Sequence, residues 1–167
     1  MRKAFIALAA IAALGACASR GDPAPTPSET PNTTPPAQAP RGPVPGSVED
    51  FRVSVGDRVF FGYDRFDLTP EARQVLERQA AWLRQYPNVR VLMAGNCDER
   101  GTREYNLALG ARRAAAARDY LVSLGVDGGR IETVSYGKER PLDARSNEEA
   151  WSVNRNAHTQ IVSGAVS

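Results

Sequence analysis

Gly95-Asn96-Cys97-Asp98-Glu99-Arg100-Gly101-Thr102-Arg103-Glu104-Tyr105-Asn106-Leu107-Ala108-Leu109-Gly110-Ala111-Arg112-Arg113 follows a short apolar run, Val89 to Ala94, and opens into an alanine-rich helical pattern. It therefore sits where a strand gives way to a helix. Loops at such junctions are where sites form, because a rigid scaffold positions the side chains that the loop leaves accessible. Asp98 and Glu99 lie within a few residues of Arg100 and Arg103. Arg112 and Arg113 follow about two to three turns into the helix. Both signs of charge at one place suit a zwitterionic ligand.

Working outward, the apolar run Val89, Val91, Met93, alternating with Arg90, Leu92 and Ala94, reads as a central strand covered on at least one face. Upstream of it, Thr69-Pro70-Glu71 is a helix start: a threonine cap, proline at the first helical position and an acid against the helix dipole. Ala72, Val75, Leu76, Ala80 and Leu83 give that helix a core-facing stripe, and Pro87 stops it. A first strand is expected around Asp57 to Tyr63, with Asp67 supporting the turn into the helix. Downstream, the second helix is expected from Arg103 to Leu124, with Tyr105, Ala108, Leu109, Ala116, Tyr120, Leu121 and Leu124 as its apolar stripe and Gly125 as a left-handed cap. Asp127-Gly128-Gly129 turns into a third strand, Arg130 to Tyr136. Ser146-Asn147-Glu148-Glu149 has the spacing of a capping box for a short helix carrying Trp151, and Ala157 to Val162 is the last strand. The order predicts an α+β fold of two layers, with helices packed on a four-stranded sheet of mixed direction.

The first 47 residues differ in kind from the rest. Arg2 and Lys3 precede an uncharged run, Ala4 to Leu14, that is shorter than the roughly 20 residues a bilayer span requires, so residues 1–16 read as an export signal. Leu14-Gly15-Ala16-Cys17 resembles the lipobox of bacterial lipoproteins, which implies acylation of Cys17 and attachment to a membrane without spanning it. Residues 17–47 hold nine of the twelve prolines, from Pro23 to Pro45, and almost no large apolar side chain, so they read as a disordered tether. About 30 such residues reach at most some 90 Å at roughly 3.1 Å each in polyproline conformation. The remaining 48–164 form one domain, as a chain of 167 residues allows. Without Arg2 and Lys3, the 21 basic residues reduce to the same number as the 19 acidic ones, a balance that argues against nucleic acid.

The head resembles the OmpA-like peptidoglycan-binding domain family, and within it the peptidoglycan-associated lipoproteins. The residues that carry the resemblance are Gly95-Asn96-Cys97-Asp98-Glu99-Arg100-Gly101-Thr102, Glu104-Tyr105-Asn106, Leu109-Gly110-Ala111-Arg112-Arg113-Ala114, and Val134-Ser135-Tyr136-Gly137-Lys138-Glu139-Arg140-Pro141. The resemblance implies a domain that holds the diaminopimelic acid side chain of the peptidoglycan stem peptide without cutting it. Carried over residue by residue, it makes Asp98 and Arg113 the paired ligand residues, with Tyr63, Asp64, Arg100, Thr102, Asn106 and Leu109 completing the pocket. An arginine can grip a carboxylate through two parallel hydrogen bonds, which lysine cannot reproduce. The resemblance further implies an outer-membrane lipoprotein with its head in the periplasm, working with TolB and the Tol system in envelope integrity and cell division. Ala18 after Cys17 favours the outer membrane. The sequence departs from the family at Ala94, where an acidic residue is usual, and at Asn156, where a second arginine is common.

Alternatives stand beside this reading. Asp98 and Arg113 would also suit a structural ion pair bracing the loop. Tyr105, on the apolar stripe, reads as core, and Arg112, about 100° round the helix from Arg113, as solvated. Cys97 and His158 are the only thiol and imidazole of the head, which leaves a thiol-dependent periplasmic enzyme or redox protein as the rival function. No spaced Cys or His ligands suggest a metal, no glycine-rich loop suggests a phosphate cofactor, and a buried inert thiol is the expectation for Cys97.

Overall fold

A computed structural model describes residues 42–166. The export signal, Cys17 and nearly all of the tether lie outside the described residues. A helical segment the sequence reading did not anticipate comes first: α1, Val48–Asp50, runs into a π-helical turn, Phe51–Val55, which buries Phe51 and Val55. Its cap was available locally, since the Ser47 hydroxyl accepts from the Asp50 N–H and Glu49 and Asp50 fill the first turn. Strand β1 is only Arg58–Phe60, shorter than the expected Asp57 to Tyr63. The chain turns away after Phe61, where Arg65 N–H bonds Gly62 O and Asp64 adopts φ 54°.

Helix α2, Pro70–Gln85, starts as expected, with Thr69 Oγ1 accepting from Ala72 N–H. At its other end Arg130 donates to the carbonyls of Leu83, Tyr86 and Val89, satisfying acceptors that a helix C-terminus leaves open. Strand β2 is Arg90–Asn96, beginning one residue after the start of its apolar run and extending two residues past its end. Helix α3 is Arg103–Ser123, closed by Gly125 at φ 89°, with Val126 N–H to Leu121 O and Gly125 N–H to Val122 O in Schellman fashion. A 3₁₀ turn, Gly128–Arg130, leads to β3, Ile131–Gly137. Helix α4 is Glu148–Asn154, and its cap is Asn147, whose side chain accepts from Ala150 N–H, one residue after the expected Ser146. Strand β4, Asn156–Ser163, ends the fold.

The sheet order is β1-β4-β2-β3, with β2 parallel to β3 and β4 antiparallel to both β1 and β2. This is the expected two-layer α+β arrangement, with α2 and α3 packed on the sheet. Val59, Leu76, Leu83, Val91, Met93, Ala114, Ala117 and Leu121 are all within the core between the layers.

The buried face of α3 matches the apolar stripe read from the sequence only in part: Leu109 and Leu121 are buried and Tyr120 and Leu124 pack against the core, but the face is otherwise made of other residues. It consists of Asn106, Leu109, Gly110, Arg113, Ala114, Ala117 and Leu121, at the i, i+3, i+4 spacing of one helix side. Tyr105 is 49% exposed, and Ala108 is exposed too, so neither belongs to the core. The stripe was misphased because polar residues and a glycine occupy three of the buried positions. Gly95 and Gly110 are both needed here: a Cβ on Gly95 of β2 would stand 1.8 Å from Gly110 O and one on Gly110 would stand 2.9 Å from Gly95 O, so helix and strand touch backbone to backbone. That contact fixes where Asn96–Asp98 leave the sheet relative to Arg113.

Candidate ligand-binding site

Residues 97–102 form a short connection between β2 and α3, and every carbonyl from Glu99 to Thr102 is held by a neighbouring side chain. Lys138 Nζ donates to Glu99 O at 3.1 Å and Gly101 O at 2.7 Å. Asn106 Nδ2 donates to Arg100 O at 2.8 Å and Thr102 O at 3.0 Å. Thr102 caps α3, its hydroxyl accepting from Tyr105 N–H at 3.2 Å. The loop is thereby preorganised from β3 and α3, which is what a binding site needs from the residues behind it.

Asp98, only 5% exposed, is the centre of the loop's electrostatics. Oδ1 accepts from Arg100 N–H and Nε–H, both at 3.1 Å, and Oδ2 accepts from Arg100 Nη2 at 2.7 Å and Arg155 Nη1 at 3.3 Å. Burial by itself would raise the Asp98 carboxyl, but the hydrogen bonds from Arg100 and Arg155 outweigh it and hold the group below its ordinary value. The Arg100 guanidinium is stacked between two rings, 4.3 Å from the Tyr63 centroid and 4.1 Å from that of Trp151. Arg155 is anchored behind it, with Nη2 donating to Glu148 Oε1 at 2.7 Å and Nε to Phe61 O at 3.1 Å.

Arg113 is 1% exposed and donates to three backbone carbonyls, those of Arg65, Asn96 and Gly62, at 2.8, 2.8 and 3.1 Å. Burial draws its guanidinium below the usual value, against the attraction of neighbouring anions, yet arginine stays protonated in proteins. Of five N–H donors, three are used, which leaves one on each terminal nitrogen. Asp98 and Arg113 are not paired with each other; the ion-pair partners of Asp98 are Arg100 and Arg155. The bracing ion pair that the sequence left open is therefore absent.

A cavity of about 170 Å³ joins these groups. Tyr63, Asp64, Asp98, Arg100, Asn106, Leu109 and Arg113 all line it, so seven of the eight expected residues meet at one place. Thr102 is not in the lining, because its hydroxyl is committed to the helix cap. Asn106 is 2% exposed and spends both amide protons on the loop, so it acts as a brace as much as a wall. Three lining residues were missed, Gly101 of the loop itself, Tyr105 and Cys97. Tyr105 faces the cavity from the first turn of α3, its hydroxyl donating to Asp64 Oδ1. Cys97 lines the cavity floor, 3% exposed. Arg155 and Trp151 were also missed as supports. Arg112 is exposed and lies near Phe66, as expected of a solvated residue.

The Cys97 thiol donates to Asn106 O at 3.3 Å, and burial pushes its ionisation up, so it is a poor nucleophile. His158 faces other cavities and is held by Asp57 at 3.1 Å and Gln160 at 3.1 Å. A Cys97–His158 pair is not assembled. Among the described residues no group of three His, Cys, Asp or Glu side chains could hold a metal ion.

The family model described as the OmpA family matches residues 60–155. A peptidoglycan-associated lipoprotein of Rhizobium meliloti is 56% identical over 121 residues, covering 72% of this chain and 68% of the relative. Another from Mesorhizobium japonicum is 48% identical over 161 residues, 96% of this chain and 92% of the relative. The crystal structure of the peptidoglycan-associated lipoprotein from Burkholderia pseudomallei is similar with a TM-score of 0.61 at 40% identity, covering 63% of this chain and 89% of that one.

Proposed function

This chain belongs to the OmpA family, among its peptidoglycan-associated lipoproteins, and from that premise we propose that it is a non-catalytic tether which binds the diaminopimelate of peptidoglycan stem peptides. The observation that carries the reading is one small cavity bearing a carboxylate, Asp98, and a buried guanidinium with two unspent donors, Arg113. The free end of diaminopimelate carries an ammonium and a carboxylate on one carbon. The ammonium needs Asp98 or Asp64, and the carboxylate needs Arg113 or Arg100. Tyr63 and Tyr105 wall the opening, and Leu109 offers an apolar floor to the methylene chain. Nothing in such a site activates water or a nucleophile, so holding, not turnover, is its function.

On this reading Cys17 is acylated, residues 17–47 span from the outer membrane, and the head grips the cell wall in the periplasm. The protein then acts as a mechanical link, with TolB and the other Tol proteins as partners in envelope integrity and division. Asp98→Asn is the cleanest test, since it keeps the side chain's shape while removing the charge. Loss of co-sedimentation with isolated cell wall, with the fold retained by circular dichroism, is expected. Undiminished sedimentation would sink the proposal. The anchoring is tested separately: Cys17→Ser should move the protein from the membrane pellet to the soluble fraction.

A further inference from the structure

We propose that the face of the sheet turned away from the helices carries a second binding site, for a small organic anion, with Arg58 and Arg140 as its ligands and His158 beside them. It is separate from the cavity at Asp98 and Arg113, and the inference does not depend on the function proposed for that cavity.

Helices α2 and α3 pack on one face of the sheet. On β4, Ala157 lies in the core and Thr159 Oγ1 donates to Gln79 of α2, so the alternate residues His158 and Gln160 point to the opposite face. On β3, Ser135 Oγ lies against Gly110 of α3, so Tyr136 points the same way as His158. Arg58 stands opposite His158 in the register of β1 and β4. The chain after β3, with Arg140, Pro141 and Leu142, closes these side chains into a cavity of about 230 Å³.

Arg58, Arg140 and His158 line this cavity, and among the described residues no carboxylate does. Asp57 approaches Arg58 Nε at 3.8 Å, but it lines the neighbouring groove together with Arg52. Arg140 stacks on the Tyr136 ring at 3.6 Å, and the adjacent Glu139 is turned to Arg103. Stacking uses the face of a guanidinium and leaves the N–H groups at its edge, which can grip an oxyanion through two parallel bonds. The cavity is larger than the 170 Å³ of the first, and Pro141 and Leu142 give it an apolar wall. The fitting ligand is therefore a carboxylate or phosphate carried on a small organic frame.

His158 makes the site sensitive to pH. Its Nε2 is 3.1 Å from Asp57 Oδ2 and 3.4 Å from Arg58 Nη2, and its Nδ1 is 3.1 Å from Gln160 Nε2. Burial, and after it the charge of Arg58, draws the imidazole below its ordinary value, against the pull of Asp57. An anion between Arg58 and Arg140 opposes that repulsion and favours the imidazolium. Protonation and binding then strengthen one another, so affinity rises as pH falls.

His158 is the only histidine of the chain, so its ring proton is a single reporter in NMR of the tag-free full-length protein. The test titrates pH with glycerol 1-phosphate, with N-acetylglycine, and with sodium chloride at the same ionic strength, for the native chain and Arg140→Gln. At least one organic anion should move the His158 titration upward by about one pH unit relative to chloride, saturably, and the displacement should vanish in Arg140→Gln. A response to the phosphate alone assigns the site to phosphates, and a response to N-acetylglycine alone assigns it to carboxylates. No displacement beyond that of chloride, or the same displacement in Arg140→Gln, overturns the proposal.

Discussion

Gly95→Ala is the substitution for which the structure gives the largest consequence. The added methyl would lie 1.8 Å from Gly110 O, and real Cβ atoms essentially never come closer than 3.0 Å, so β2 and α3 must part by 1.2 Å or more. The obstacle is backbone, which no rotamer change relieves. A gap of 0.5–1 Å already forfeits about a quarter to a half of a dispersion contact, and Val91, Met93, Ala114 and Ala117 all pack in the core at this interface. The 2.8 Å bond from Arg113 Nη1 to Asn96 O spans the same gap and would break. Overpacking costs about 1–3 kcal/mol and at times more; with the lost bond the expectation is about 3 kcal/mol or above. At a urea dependence of roughly 1–3 kcal/mol per molar, the unfolding midpoint should drop by about 1–3 M, with stem-peptide binding lost in the same variant. Gly125→Ala is the control. It meets nothing within 4 Å but sits at φ 89°, so it should cost only about 1–2 kcal/mol and leave binding untouched. A Gly95→Ala midpoint equal to that of the native chain would refute the claim that backbone contact sets the site.

Other consequences follow from single contacts. Lys138→Met removes the donor that holds Glu99 O and Gly101 O, so ligand affinity should fall by about tenfold with little change in melting temperature; unaltered affinity in calorimetry would show that the loop holds itself. Arg130→Ala strands the carbonyls of Leu83, Tyr86 and Val89 and should cost about 2–4 kcal/mol, read by urea titration, without touching the site. The carboxyl of Asp98 is held low in the fold, so its stabilisation is complete above the unfolded value of about 3.9 and is lost as pH falls through the lower folded value. The acid limb of a stability profile should therefore be shallower in Asp98→Asn, and an identical limb would assign it to other carboxylates. Cys97 should resist a thiol reagent until the chain unfolds, measured in a Cys17→Ser background, and Cys97→Ser should bind ligand normally.

Local chemistry in the sequence was enough wherever one residue type dictates one geometry. Thr69-Pro70 started α2, Gly125 ended α3, and the apolar alternation around Met93 placed an internal strand. The site was legible because most of its residues fall in one stretch, 95–113, with Tyr63 and Asp64 reached through the family resemblance. Tyr105 was misassigned because a hydrophobic stripe was sought where the buried helix face instead carries Asn106, Gly110 and Arg113. The burial of Arg113 depends on partners such as Arg65 O and Gly62 O, contributed from 48 and 51 residues away. Arg155 was invisible for the same reason, reaching Asp98 across 57 residues. The segment before β1 was overlooked although Ser47, Glu49 and Asp50 signal a helix start, since the proline-rich composition just upstream masked it.

Whether Asp98 and Arg113 share one zwitterionic ligand is decided by calorimetric titration of the full-length chain with a diaminopimelate stem peptide. Saturable one-to-one binding is expected, lost in Asp98→Asn and weakened in Arg113→Lys with both variants folded. Equal binding by the native chain and Asp98→Asn would contradict it.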